Sequence, residues 1–210
     1  MKKLKWTSGI VSIGFGFLAL SSSAKDFTEL GEPFWKGKPK LIQKMREERA
    51  VIVSVRSSEL AKNLIQFHMQ GAGWVSRSKD QAFAIARQYQ NLKEVSSHFK
   101  TVVYDQKSDQ LFVVTEALGY QARMRLQMSV VEQDKKNLIR WEVIWGHFKG
   151  MKGVIGFEAV ARNKTEVTML ALYEADELPL PKTLIGFALE VVVQKVAEKM
   201  RSYLESHDRP

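Results

Sequence analysis

The chain has 210 residues, a formal charge of +9 at pH 7, 45% apolar residues and 26% charged ones. That is ordinary globular composition with length for one sizeable core, which excludes a wholly disordered, collagen-like or polytopic membrane chain. Cysteine is absent, so disulfides, thiolate metal sites, a cysteine nucleophile and a lipidated cysteine are excluded too.

Lys2, Lys3 and Lys5 precede an apolar run from Trp6 to Leu20, followed by small residues at Ser22 and Ala24. The run is short for a membrane span and contains Gly9, Gly14 and Gly16. This pattern predicts a secretory signal peptide over residues 1–24, cleaved after Ala24, and hence a periplasmic or secreted protein. An uncleaved membrane anchor is the competing reading. Removing that segment, with its three lysines and no acid, leaves 186 residues and lowers the formal charge to +6.

Residues 25–40, with Gly31, Pro33, Gly37 and Pro39, read as a linker or a loosely docked arm. Lys36, Lys38, Lys40 and Lys44 cluster there beside Phe34 and Trp35. Such a patch is either a solvated linker or a point of transient contact with an anionic membrane surface. Export argues against nucleic acid as the partner.

Residues 41–49 predict a short helix, and Ala50 to Val55 a strand. Ser57, Ser58 and Asn63 bracket a predicted turn, with a second extended run from Leu64 to Val75. Ser78 is placed to cap a helix reaching about Gln90, and Asn91 a second one through Leu92, Val95 and Phe99. Strands are then expected at 99–105, 110–117, 119–132, 138–147, 153–162 and 165–173, separated by short polar breaks. That is the signature of an antiparallel meander. Residues 182–206 carry Ile185, Ala188, Leu189, Val192, Val196, Met200, Tyr203 and Leu204 at helical spacing, which predicts one long amphipathic helix.

The two-residue period assigns the strand faces. Tyr120, Ala122, Met124, Leu126, Met128 and Val130 share one face, and Gln121, Arg123, Arg125, Gln127 and Ser129 the other. Ile139, Trp141, Val143 and Trp145 oppose Arg140 and Glu142, while Val167, Met169, Ala171 and Tyr173 oppose Glu166 and Thr168. One sheet face is therefore apolar, and the last helix is the only long amphipathic element able to cover it. Its tryptophans and polarizable methionines suit either a pocket for varied apolar shapes or a filled core.

This order of elements resembles the helix-grip fold of the START-like superfamily: polyketide cyclases, pollen-allergen-type proteins and coenzyme Q-binding START proteins. Gly71 to Val102 resembles the family's first strand, helix pair and second strand. Gly153 to Ala175 resembles its last strand pair, and Glu177 to Glu205 its proline-marked final helix. The resemblance covers residues 64–206, leaving 25–63 as an extension with an extra strand and 207–210 as a tail. It implies an α+β fold, with a curved antiparallel sheet wrapped around the C-terminal helix. It also implies a hydrophobic or amphipathic ligand, such as a lipid, held between the two. The residues placed to line that space are Tyr120, Met124, Met128, Trp141, Trp145, Phe157, Met169, Tyr173, Ile185 and Leu189.

Catalytic signals are sparse. His68, His98, His147 and His207 have no metal-ligand spacing, and no phosphate-binding or nucleophile-elbow motif occurs. Glu116, Glu142 and Glu158 are the acid–base candidates, but Arg123, Arg125 and Arg140 are placed to pair with them on the wet face, and cross-strand ion pairs are the favoured reading. No catalytic residue, metal or cofactor is assigned. The expected function is an exported carrier of a hydrophobic molecule. A cyclase- or dehydratase-type enzyme on the same fold, or an interaction module with a filled core, are the alternatives.

Overall fold

The computed structural model describes residues 30–61, 64–117, 119–176 and 182–207. The predicted signal peptide lies outside them. Eight strands form one curved antiparallel sheet in the order β1-β2-β8-β7-β6-β5-β4-β3. They are β1 (Ile52–Ala61), β2 (Leu64–Val75), β3 (Phe99–Asp105), β4 (Gln110–Ala117), β5 (Tyr120–Val131), β6 (Lys136–Gly146), β7 (Lys152–Ala161) and β8 (Lys164–Ala175). The helices are α1 (Pro39–Glu47), α2 (Lys79–Ala86), α3 (Leu92–Val95) and α4 (Lys182–Ser206). This is the helix-grip arrangement. β1 runs straight through Ser57 and Ser58, where the sequence suggested a turn.

Alternation sorts the sheet into an inner face toward α4 and an outer face. Phe67, Ile139, Val143 and Phe157 are buried on the inner side. At one end α2 and α3 close the core: Phe83 meets Phe157 edge-on at 5.5 Å, and Tyr203 and Leu204 of α4 pack into the same cluster. Register across β6 and β7 sets Trp141 opposite Gly153. A Cβ on Gly153 would collide with the Trp141 indole and stand 2.9 Å from the Leu170 carbonyl oxygen. Glycine there lets the indole lie flat across β7.

Residues 30–47 do not form a loose linker. Leu30, Trp35 and Met45 are buried, and Trp35 and Met45 pack with Ile52 and Ala72 on the outer face of β1 and β2. The Phe34 amide donates to Gln70 Oε1 at 2.7 Å, and Gln70 Nε2 donates back to the Glu32 carbonyl at 3.2 Å. Alternating positions on β1 and β2 thus serve both sheet faces, which a half-wet reading of the sheet omits. A cleft of about 360 Å³ opens between this arm and the outer face at Ser54, Arg56 and His68.

One irregularity overturns a sequence expectation. Leu126 pairs with Val143, but Arg125 pairs with Trp145, so Ile144 is an extra residue in β6. This β-bulge reverses the alternation beyond it. Trp145 therefore stands on the outer face opposite Arg125, not beside Trp141. It is 53% exposed, with the Arg125 guanidinium 5.9 Å from its ring centre.

Candidate functional site

The candidate site is the inner face of β5 to β8, beside α4, which packs along β1 and β2. α4 is tied down at its C-terminal end. Glu205 accepts hydrogen bonds from the Ser76 amide at 2.9 Å and from Arg49 Nη2, and its carbonyl accepts one from Arg77 Nη2 at 2.8 Å. Arg201 donates to the Arg49 carbonyl. Farther up, Gln194 Nε2 donates to the Val51 carbonyl at 3.1 Å. Tyr203 and Leu204 are buried, whereas none of the described side chains between 186 and 200 is. On the sheet, Met124, Leu126, Trp141, Ile155, Val167, Met169 and Tyr173 are likewise only half-buried. Met124, Leu126, Trp141, Ile155 and Val167 pack against the closed core yet keep residual accessibility.

An aromatic cluster frames the opposite end. Phe67 stacks on Tyr173 with ring centres 6.5 Å apart, and Phe148 from the β6–β7 hairpin meets Tyr173 edge-on at 5.5 Å. Tyr120 is 52% exposed, and its ring meets His147 edge-on at 5.7 Å. Burial first, then the neighbouring Asp176 and Tyr120, push the Tyr173 hydroxyl above the ordinary phenol range. Tyr173 therefore stays neutral at physiological pH and offers a hydroxyl donor at the rim.

The structure places the sequence-derived residues unequally. Met124, Trp141, Met169 and Tyr173 share the half-buried inner face, and Leu189 is half-buried on α4. Met128 and Phe157 are packed into the closed core. Tyr120 sits at the rim and Trp145 on the outer face. The Ile185 side chain lies outside the described residues. Leu126, Ile155 and Val167 join the same face, which their alternation could have revealed. Phe148 could not be found that way, because it lies in a loop with φ +58° and no periodicity.

The acid–base candidates are elsewhere. Glu116, Glu142 and Glu158 are exposed on the outer face, with Glu142 opposite Lys152 and Glu158 opposite Lys136. His98 Nδ1 lies 2.8 Å from the Glu116 carbonyl, and His147 Nδ1 accepts from the Arg123 amide at 3.1 Å. His68 is on the outer face, 2.5 Å from Gln66 Oε1. Among the described residues, the inner face of β2 and of β4 to β8 carries no carboxylate, imidazole or amine. No group of three metal-ligating side chains is found among them, and no described helix is long and apolar enough to cross a membrane. This arrangement can bury an apolar molecule and offer it phenol hydroxyls.

A family model described as polyketide cyclase / dehydrase and lipid transport matches residues 75–201, from the end of β2 into α4. Among solved structures, a START superfamily protein from Mycobacterium smegmatis is similar at 12% identity and TM-score 0.56, covering 65% of this chain and 96% of that one. A STAR-related lipid transfer protein from Xanthomonas axonopodis is similar at 10% identity and TM-score 0.55, covering 72% and 98%. A Streptomyces aromatase/cyclase is similar at 9% identity and TM-score 0.55, covering 66% and 91%. At these identities the likeness is one of fold. No curated protein sequence matches the chain.

Proposed function

The chain belongs to the polyketide cyclase / dehydrase and lipid transport family, and on that premise we propose that it is a carrier of a lipid or other hydrophobic small molecule. The ligand lies between α4 and the inner face of β5 to β8. The observation that supports this reading is the incomplete burial of two apolar layers, the inner face of β5 to β8 and the side chains of α4, of which only Tyr203 and Leu204 among those described are buried. Each 100 Å² of apolar ligand surface withdrawn from water there contributes about 2.5 kcal/mol. Tyr173 and Tyr120 set the orientation of a polar end group. Among the described residues, an inner face of β2 and β4 to β8 with no carboxylate or imidazole favours carriage over cyclase or dehydratase chemistry. With residues 1–24 as a cleaved leader, the carrier works in the periplasm or outside the cell and meets an anionic membrane surface transiently.

Native mass spectrometry on protein recovered from its host, followed by solvent extraction, tests this. A stoichiometric lipid or isoprenoid that dissociates on extraction supports carriage. An apo mass that resists a panel of lipids overturns it.

A further inference from the structure

The bulge in β6 leaves an unusual surface. Trp145 and Tyr120 are each more than half exposed, although large aromatics normally bury their area. Arg125 lies against the Trp145 ring, and Arg123 exchanges backbone hydrogen bonds with His147, its amide donating to Nδ1 at 3.1 Å and its carbonyl accepting from the His147 amide at 2.9 Å. Neither arginine is ion-paired among the described residues. Their cross-strand partners on β4 are Val114 and Phe112, and Phe112 pairs in turn with Val103, which is 57% exposed. The carboxylates on flanking rows face other partners: Glu116 stands opposite Gln121, and Glu142 opposite Gln127 and Lys152. Lys149 adds an exposed cation in the β6–β7 hairpin, next to Phe148, whose ring reaches Tyr173 at the rim of the site.

We propose that this patch, with Arg123, Arg125, Lys149, Trp145 and Tyr120 at its centre, is where the protein docks on an anionic lipid bilayer. Guanidinium and ammonium groups bind lipid phosphates, and the amphipathic Trp and Tyr rings settle at headgroup depth. The patch lies beside the rim framed by Tyr120, Phe148 and Tyr173, so docking brings the open end of the site to the source of a hydrophobic ligand. This step rests on the carrier reading above. The Lys36–Lys44 cluster competes for the same role. It is basic, but its aromatics are occupied: Trp35 is buried, and Phe34 is half-buried beneath Lys38.

The test is sedimentation with vesicles of phosphatidylcholine containing one third phosphatidylglycerol, against pure phosphatidylcholine, at low and physiological salt. The proposal expects salt-sensitive binding to the anionic vesicles only. It expects at least a tenfold loss in the R123Q/R125Q double variant and a several-fold loss in W145A. A K36Q/K38Q/K40Q/K44Q variant should bind normally. Binding that survives both R123Q/R125Q and W145A, that is lost in the lysine variant instead, or that is equal on neutral vesicles overturns the proposal. Preference for an anionic polynucleotide or an acidic protein over the vesicles does so as well. Extracting the same variants separates the two readings. Retained ligand with lost vesicle binding upholds both, whereas absent ligand in the unmodified protein defeats the carrier reading whatever the vesicles show.

Discussion

The indole of Trp141 lies across its cross-strand partner Gly153, in a space that a single methyl group would close. A bulky site-facing side chain on β6 is thus accommodated by the absence of one on β7. Gly153→Ala forces either the indole or the β7 backbone to move. Such overpacking costs about 1–3 kcal/mol. Urea unfolding followed by tryptophan fluorescence should show a lower midpoint and a shifted native spectrum. A variant as stable as the parent, with an unchanged spectrum, refutes this packing.

The two neighbouring tryptophans of β6 should separate cleanly in ligand binding. Trp141→Ala removes a large apolar contact from the inner face and should weaken retention of the extracted ligand about tenfold or more. Trp145→Ala touches only the outer face and should leave retention unchanged. Equal losses in both variants, each folded by circular dichroism, contradict the face assignment made by the bulge.

Alkaline stability depends on a tyrosine pair at the closed end. Tyr89 and Tyr104 rings meet edge-on at 4.8 Å, and the Tyr104 hydroxyl donates to Asp109 Oδ1 at 2.7 Å. Burial, chiefly, pushes both hydroxyls up to about 12. In the unfolded chain they ionise near 10, so between pH 10 and 12 the unfolded state binds fewer protons than the folded one. Stability should therefore hold up to about pH 10 and fall through that window. Tyr89→Phe and Tyr104→Phe should each flatten the fall, measured as urea midpoints at pH 9 and 11. The Tyr89 hydroxyl is buried with no hydrogen-bond partner among the described residues. At pH 7 its removal should be neutral or stabilise by up to about 1 kcal/mol.

α4 should open from one end only. Its C-terminal turns are held by Glu205, Arg201 and the buried Tyr203 and Leu204, while residues 186–200 lack a buried described side chain. Hydrogen exchange should be faster in amides 189–196 than in 200–204, and ligand loading should slow the first set alone. Uniform protection along the helix counts against opening at that end.

The arm on the outer face should matter for stability and not for ligand. Trp35→Ala empties a buried site against Ile52 and Ala72 and should cost about 3–5 kcal/mol. Ligand content per folded molecule should stay constant. A loss of ligand at full stability would connect the arm to the site.

Much of the fold was legible because its rules are local. The Val, Met and Trp positions of β5, β6 and β8 alternate, and the α4 stripe repeats every three to four residues, so inner face and covering helix follow from the order of side chains. The docking of residues 30–47 was not legible. Trp35 and Met45 show no shared periodicity, and their partners Ile52 and Ala72 lie on strands whose two faces are both used. Ser57 and Ser58 look like a turn, yet they sit inside β1 because pairing with Phe67 and Gln66 satisfies their backbone.

One sheet with an apolar face and one helix to cover it can be read directly from the order of residues, because hydrophobic alternation is a property of neighbours along the chain. Where that alternation breaks is set by contacts between strands. Ile144 becomes an extra residue through the way β6 hydrogen-bonds to β5, and that non-local pairing turns Trp145 out to the surface while Trp141 stays within.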